Sequence, residues 1–283
     1  MSIVLRKPGY FVRRAIFYLF LCFIALICVL PLYWMVRASF MRNIDILILY
    51  PFLFWPAETL WQNYVDTLRL MNFTLYLTNT LIILFGALAG VLLTSSMAAY
   101  AFSRVRWVGR ELCFAIILST MMLPGTVTII SQYLLWARVG AIDTFVPLIL
   151  PAWFGGGAFN IFLLRQFFMN IPRELDEAAV VDGAGNFRVF FSIILPLSKS
   201  ALIVVALFTF MGTWNDFFGP LLFLHSRENF TLALGLLQFR GEFVTRWNFV
   251  MAGSTVVILP CILVFALGQK RLTEGISLTG IKG

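Results

Sequence analysis

The chain has 283 residues, of which 61% are hydrophobic and only 12% charged, and its net charge is +8. Ordinary soluble domains carry about 25% charged residues, so this composition excludes a soluble globular protein and points to a membrane protein. The basic excess does not argue for nucleic acid, because Lys and Arg are spread between apolar runs instead of gathered on one polar face.

Residues 1–14 hold Arg6, Lys7, Arg13 and Arg14, and an apolar run follows over 15–36. A secretory signal has an apolar core of about 7–15 residues and a small-residue cleavage site. This run is longer and has no such site, so it is expected to stay as a first spanning helix, for which about 20 apolar residues suffice. Further spans are predicted over 77–101, 112–134, 145–168, 201–224 and 249–268. Helices are expected because backbone in lipid must satisfy its own hydrogen bonds. The expectation is an all-α polytopic membrane protein with six transmembrane helices. It has a six-span body over 15–268, a short N-terminal segment (1–14) and a C-terminal tail (269–283). Six spans put both termini on one side. With the N-terminus inside, the inner segments carry twice the Lys and Arg of the outer ones, so both termini are expected in the cytoplasm.

The outer connection 41–72 carries Tyr50, Trp55, Trp61 and Tyr64, suited to an aromatic belt near the headgroups. The basic turn from Ser103 to Arg110 requires no more than an inside loop. Pro124-Gly125 should bend or break the third span, which is tolerated where protein or a cavity covers the backbone. Gly155, Gly156, Gly157 and Asn160 in the fourth span are read as close helix packing. Cys22, Cys28, Cys113 and Cys261 fall within apolar runs with no C-x-x-C pair, and are read as small buried hydrophobes instead of metal ligands or a disulfide frame. His225 has no companion that would make it a ligand or general base. No glycine run is followed by Gly-Lys-Ser/Thr, so no P-loop is present and ATP-driven work would need a partner.

The longest polar-rich stretch, ELDEAAVVDGAGNFRVFFSIILP from Glu174 to Pro196, lies in the predicted cytoplasmic loop 169–200. Pro172 suits a first helical turn, and Glu174, Asp176 and Glu177 complement the helix dipole. Leu175, Ala178, Ala179 and Asp182 share one helical face. Gly183 and Gly185 permit a tight reversal. Asn186 is expected to cap a second helix over 187–194 that Pro196 ends.

This arrangement, E-A-A-x3-G-x9-I-x-L-P, resembles the signature loop of permease subunits in binding-protein-dependent ABC importers. Here it reads Glu177, Ala178, Ala179, Gly183, Ile193, Leu195 and Pro196. Asp182-Gly183-Ala184 resembles the maltose-type, carbohydrate-uptake branch. So do Tyr100 to Arg104, Phe162 to Phe168 with Ile171-Pro172, Trp214 to Phe217 with Pro220, and the ending Lys282-Gly283. The likeness covers about 15–283. Ser131 and Ser200 stand where the family often has proline, and the tail from Leu272 to Gly280 is longer than usual.

The resemblance implies a permease that catalyses no reaction and forms half of a sugar path in the bacterial inner membrane. A second homologous permease would complete the path. Two copies of an ATP-binding subunit would bring the ATP and Mg, no cofactor being expected in this chain, and an external solute-binding protein would deliver the carbohydrate. Glu177, Ala178, Ala179, Asp182, Gly183, Ile193, Leu195 and Pro196 would make the ATPase-coupling surface. A small-faced helix enters a groove closely, and Glu177 and Asp182 can hold it by charge-assisted hydrogen bonds.

Asp216, with Trp214 and Asn215, is a candidate for the translocation path. An isolated carboxylate in a spanning helix costs about 2.5–3.5 kcal/mol and should face protein or water. The competing role is structural, to hold a bend near Gly219-Pro220 or to bond the other permease. In the outer loop 225–248, Leu234, Gly235, Leu236 and Gln238 resemble a family loop that meets the binding protein, with plain packing as the other reading. A secondary transporter of a small polar solute is the first rival, but it would want intramembrane charge relays and internal repeats. A polytopic membrane enzyme would want a clustered catalytic constellation.

Overall fold

The computed structural model describes residues 8–47, 55–56, 58–241 and 244–280, and the side chains of 11–46, 55–56, 58–241 and 244–269. Among the described residues there is no strand, only an isolated bridge between Arg240 and Thr245. The longer helices are α1 (Pro8–Ser39), α2 (Gln62–Leu70), α3 (Phe73–Ser103), α4 (Arg110–Thr120), α5 (Gly125–Arg138), α6 (Ala158–Met169), α7 (Glu174–Val181), α8 (Lys199–Trp214) and α9 (Trp247–Gly280). Among the described residues, four helical segments are long and apolar enough to cross a membrane, and up to six if each of two bent pairs counts as one span.

The chain divides into two units, Met1–Met71 with Gln238–Val256, and Asn72–Leu237 with Val257–Gly283. In the first, no residue of the apolar stretch of α1 is buried, and only the last turn, with Arg37, Ala38 and Ser39, and Phe40 after it are enclosed. Asn63 of α2 fastens that turn by donating from Nδ2 to the carbonyls of Ser39 at 2.8 Å and Met41 at 2.9 Å, while its Oδ1 accepts from Asn248. Phe40, Trp55, Trp61 and Tyr64 form one aromatic cluster. Tyr50, also expected in that belt, lies outside the described residues.

The second unit is built around α3. Its glycines let backbone come close: a Cβ on Gly90 would stand 2.7 Å from the Trp153 ring, and one on Gly86 would stand 2.9 Å from Ile149. Trp153 Nε1 in turn donates to the Gly86 carbonyl at 3.1 Å. Gly156, at φ +64, presses on the backbone of Val91, so the close packing expected of the glycine run falls to Gly156; Gly155 and Gly157, also at positive φ, serve the turn instead.

Three predicted spans are interrupted. The third breaks between α4 and α5 with a 95° bend, where Pro124 precedes the first residue of α5. The fourth is a short helix (Val146–Ile149), a 3-10 turn (Leu150–Trp153) and α6, divided by three glycines at positive φ. The fifth was expected to run continuously over 201–224, but α8 ends at Trp214 and a separate short helix covers Phe218–Phe223. The cysteine expectation holds only for Cys261. Cys22, Cys28 and Cys113 are exposed on their helices, where lipid or a partner would cover them.

Candidate coupling surface and translocation cavity

The elbow begins with α7, which carries Glu174, Asp176 and Glu177 in its first turn. Its end explains the spacing of the motif. The Gly183 N–H donates to the Val180 carbonyl at 2.9 Å and the Ala184 N–H to the Ala179 carbonyl at 2.8 Å, with Gly183 at φ +81. That is the paired-bond helix terminus in which the left-handed position falls to glycine. Gly183 alone makes the reversal, because Gly185 is in extended backbone. Asn186 is not the expected cap. Gly185 occupies that position, and no side chain caps the helix.

The second helix also runs further than expected. It passes from Asn186–Val189 through a π-helical turn (Phe190–Ile194) and on to Leu195–Leu197, across Pro196. Proline lacks the N–H and its ring crowds the carbonyl four residues back. A wider turn immediately ahead relieves that crowding and lets the helix survive. The chain then bends by 78° at Ser198 into α8.

Apolar packing and one ion pair hold the elbow. Val189, Phe190 and Ile194 enter a core with Tyr100, Leu164, Phe168 and Val205, and Ala179, Ala184 and Leu195 pack against it. Arg104, whose side chain is 3% exposed, donates from Nη1 to Asp176 Oδ2 at 2.9 Å. Its Nη2 donates to the carbonyls of Phe168 and Ile171 at the foot of α6. One guanidinium thereby joins the ends of α3 and α6 to α7, with its cation at a helix C-terminus where the dipole favours it. Arg165, at 9% exposure, braces the same end. It lies over the Phe114 ring at 4.1 Å and donates from Nε to the Phe102 carbonyl. Sequence reading marked Arg104 only as the inside end of a span, since its partner is 72 positions away.

The opposite face of the elbow is open. Glu177, Ala178, Asp182 and Gly183 are exposed, as are Val180, Val181 and Phe187. Ile193 is half-buried and Pro196 exposed.

Within the same unit lies a cavity of about 260 Å³, lined by Thr80, Asn160, Thr209, Thr213, Asp216 and Thr231 together with apolar side chains. Of the three candidate path residues, only Asp216 reaches it. Trp214 is buried, stacked on Phe210, with Nε1 donating to the Val257 carbonyl at 3.0 Å. Asn215 donates to the Met211 carbonyl and does not line the cavity. Asp216 also accepts from the Gly219 N–H at 3.0 Å, so it sets the turn into Phe218–Phe223 as well. The threonines carried no sequence motif and were missed, and Asn160, read as a packing residue, lines the cavity instead. Polar residues recurring in apolar runs were the available signal.

The loop after that short helix is pinned from two sides. Asn79 donates from Nδ2 to the carbonyls of Glu228 at 2.7 Å and Phe230 at 3.0 Å. Thr80 Oγ1 accepts from the Leu232 N–H. Asp143, at φ 62, accepts from the N–H groups of His225 and Ser226, from the Ser226 hydroxyl and from Asn229. Those bonds, the Ser226 hydroxyl first, hold its carboxyl well below the usual carboxylate range. Leu234 and Gly235 are buried packing residues, Gly235 against the Tyr76 ring, and Leu236 and Gln238 are half-buried.

An exposed helical elbow and a polar cavity within one helical membrane protein are the parts of a transport permease, and comparison with known families gives that class. The chain belongs to the family of binding-protein-dependent transport system inner membrane components, whose model matches residues 90–277. It is 32% identical to a probable ABC transporter permease of Bacillus subtilis, YurM, over 94% of this chain and 87% of that protein. It is also 32% identical to the galactooligosaccharides transport system permease GanQ of the same organism, over 98% of each. The arabinooligosaccharides permease AraQ of Halalkalibacterium halodurans is 31% identical over 92% of this chain and 94% of that protein. Among solved structures, a bacterial ABC transporter involved in the import of alginate has a chain that superposes with a TM-score of 0.81 at 23% identity, covering 94% of this chain and 98% of that one. The chain is thus a multi-pass inner-membrane permease of the ABC importer type, not a secondary transporter.

Proposed function

We propose that this permease carries a carbohydrate and forms half of its path, powered by two copies of a separate ATP-binding subunit. A second homologous permease supplies the other half, and an external solute-binding protein delivers the sugar. The termini and the elbow face the cytoplasm, in keeping with the two-to-one distribution of Lys and Arg. The chain itself catalyses nothing, and ATP and Mg belong to the partner subunits.

The observation that carries this reading is the elbow. Its exposed face (Glu177, Ala178, Asp182, Gly183) is tied through Arg104 and Asp176 to the inner ends of α3 and α6. A push on α7 therefore reaches helices that also carry Thr80, Val91 and Asn160 of the cavity wall. Rigid-body rocking of this kind gives alternating access. The relatives named for galacto- and arabino-oligosaccharides support a sugar cargo. A wall of threonine hydroxyls, Asn160 and Asp216 suits polyhydroxyl solutes.

The test is uptake in proteoliposomes containing both permeases and the ATPase. Oligosaccharide uptake should require ATP and the binding protein and should stop with vanadate. Uptake by this chain alone, or uptake driven by an ion gradient without nucleotide, overturns the reading.

A further inference from the structure

The basic turn between α3 and α4 folds into a pocket. Arg106, Trp107, Arg110, Glu111 and Leu112 line a cavity of about 520 Å³ with Arg173, which stands at the foot of α7. Three guanidiniums face one carboxylate there, and that carboxylate is already engaged. Glu111 Oε1 accepts from Arg110 at 2.9 and 2.7 Å, and Oε2 accepts from Arg165 at 3.4 Å. The guanidiniums of Arg106 and Arg173 have no hydrogen bond or ion pair among the described residues.

Apolar side chains flank this charged pocket. Val108 is fully exposed, Leu112 is 68% and Ile116 56% exposed along α4, and the Trp107 indole is anchored by its N–H on the Ala101 carbonyl. A small soluble anion would use the arginines and leave this wall bare. An acidic protein surface would do the same, since α4 is half of a bent membrane span. An amphiphile with an anionic head uses both, and basic pockets at the inner ends of spanning helices bind such headgroups.

We propose that this pocket binds an anionic phospholipid. Its phosphodiester lies between Arg106, Arg110 and Arg173, and an acyl chain runs along Leu112 and Ile116. The bound lipid ties the foot of the coupling helix to the membrane surface. The site is independent of which solute is carried.

The test compares the assembled transporter, purified from membranes, with Arg106→Gln/Arg173→Gln, Arg106→Lys/Arg173→Lys and the distant control Arg138→Gln. Native mass spectrometry reads bound phosphatidylglycerol against phosphatidylcholine after exchange into nanodiscs containing both. The wild type and the lysine variant should retain phosphatidylglycerol selectively, and the glutamine variant should lose about fivefold of that selectivity per arginine removed. The proposal is overturned by unchanged selectivity in the glutamine variant or by an equal loss in Arg138→Gln. Displacement of the lipid by inorganic phosphate alone would identify a free-anion site. Release of the ATPase subunits with lipid binding unchanged would identify a protein-docking surface.

Discussion

The two ends of the Asn72–Leu237 unit are secured in different ways. The loop over 225–232 is held by hydrogen bonds from three separate side chains, Asp143, Asn79 and Thr80, reaching its backbone at several points. The elbow over 174–198 has one charged latch, Arg104 to Asp176, beside apolar packing, and it contains a π-helical turn and a 78° bend. Hydrogen bonds are directional and pin a backbone in register, whereas apolar contacts slide. The first end is therefore built to stay and the second to pivot. A force applied at α7 would reach the C-terminal ends of α3 and α6, to which Arg104 and Asp176 tie it, while the loop over 225–232 stays fixed.

Breaking the latch should have the largest effect. Arg104→Ala leaves Asp176 without its cation and frees the Phe168 and Ile171 carbonyls, a loss of about 3 kcal/mol for a buried pair. Transport in proteoliposomes should fall more than tenfold while ATP hydrolysis continues. Arg104→Lys, which keeps charge but cannot reach three acceptors, should fall between the two. Normal coupling in Arg104→Ala would mean that the packing alone transmits the movement.

Loosening the fixed end comes next. Asp143→Ala removes an acceptor of several bonds and should cost about 1–3 kcal/mol, read as faster hydrogen exchange across 225–232. Asp143→Asn tolerates the left-handed backbone and should cost less. Because the folded pKa of Asp143 is depressed, its contribution is present above the unfolded pKa of about 4 and is lost as pH falls below it. Protection of the loop amides, taken relative to the intrinsic exchange rate at each pH, should thus be flat from about pH 8 to 5 and fall only in stronger acid. An earlier loss of protection, near pH 6, would assign the control to another group.

Gly183→Val is a smaller and cleaner perturbation. Nothing lies within 4 Å of a Cβ at Gly183, so the change acts through the positive φ alone, at about 1–2 kcal/mol. The protein should insert normally but co-purify less ATPase, and full recovery of the complex would exclude the reversal as a docking determinant. Ser198→Ala should have the least effect. Its hydroxyl is buried at the bend without a partner, so removing it should leave stability within about 0.5 kcal/mol or raise it slightly. A large loss on thermal unfolding would show that the hydroxyl is in use.

Local chemistry made much of this legible in advance. The apolar runs, Pro124-Gly125 and the spacing from Glu177 through Gly183 to Pro196 are governed by lipid solvation, proline's missing donor and glycine's access to positive φ. Each of these acts within a few residues. The helical membrane fold, the break in the third span and the reversal at Gly183 accordingly follow from the chain itself. Where a local rule met a tertiary alternative, the prediction failed: Pro196 does not end its helix because a π turn absorbs the crowding, and Asn186 yields the cap to Gly185. What folding alone decided is which distant groups meet. Arg104 finds Asp176, Asp143 finds Ser226, and Asp216 shares a cavity with Thr80 and Thr231 from two other segments while Trp214 and Asn215 do not line it. Those pairings depend on how helices far apart in sequence pack, and no periodicity along one strip of chain encodes them.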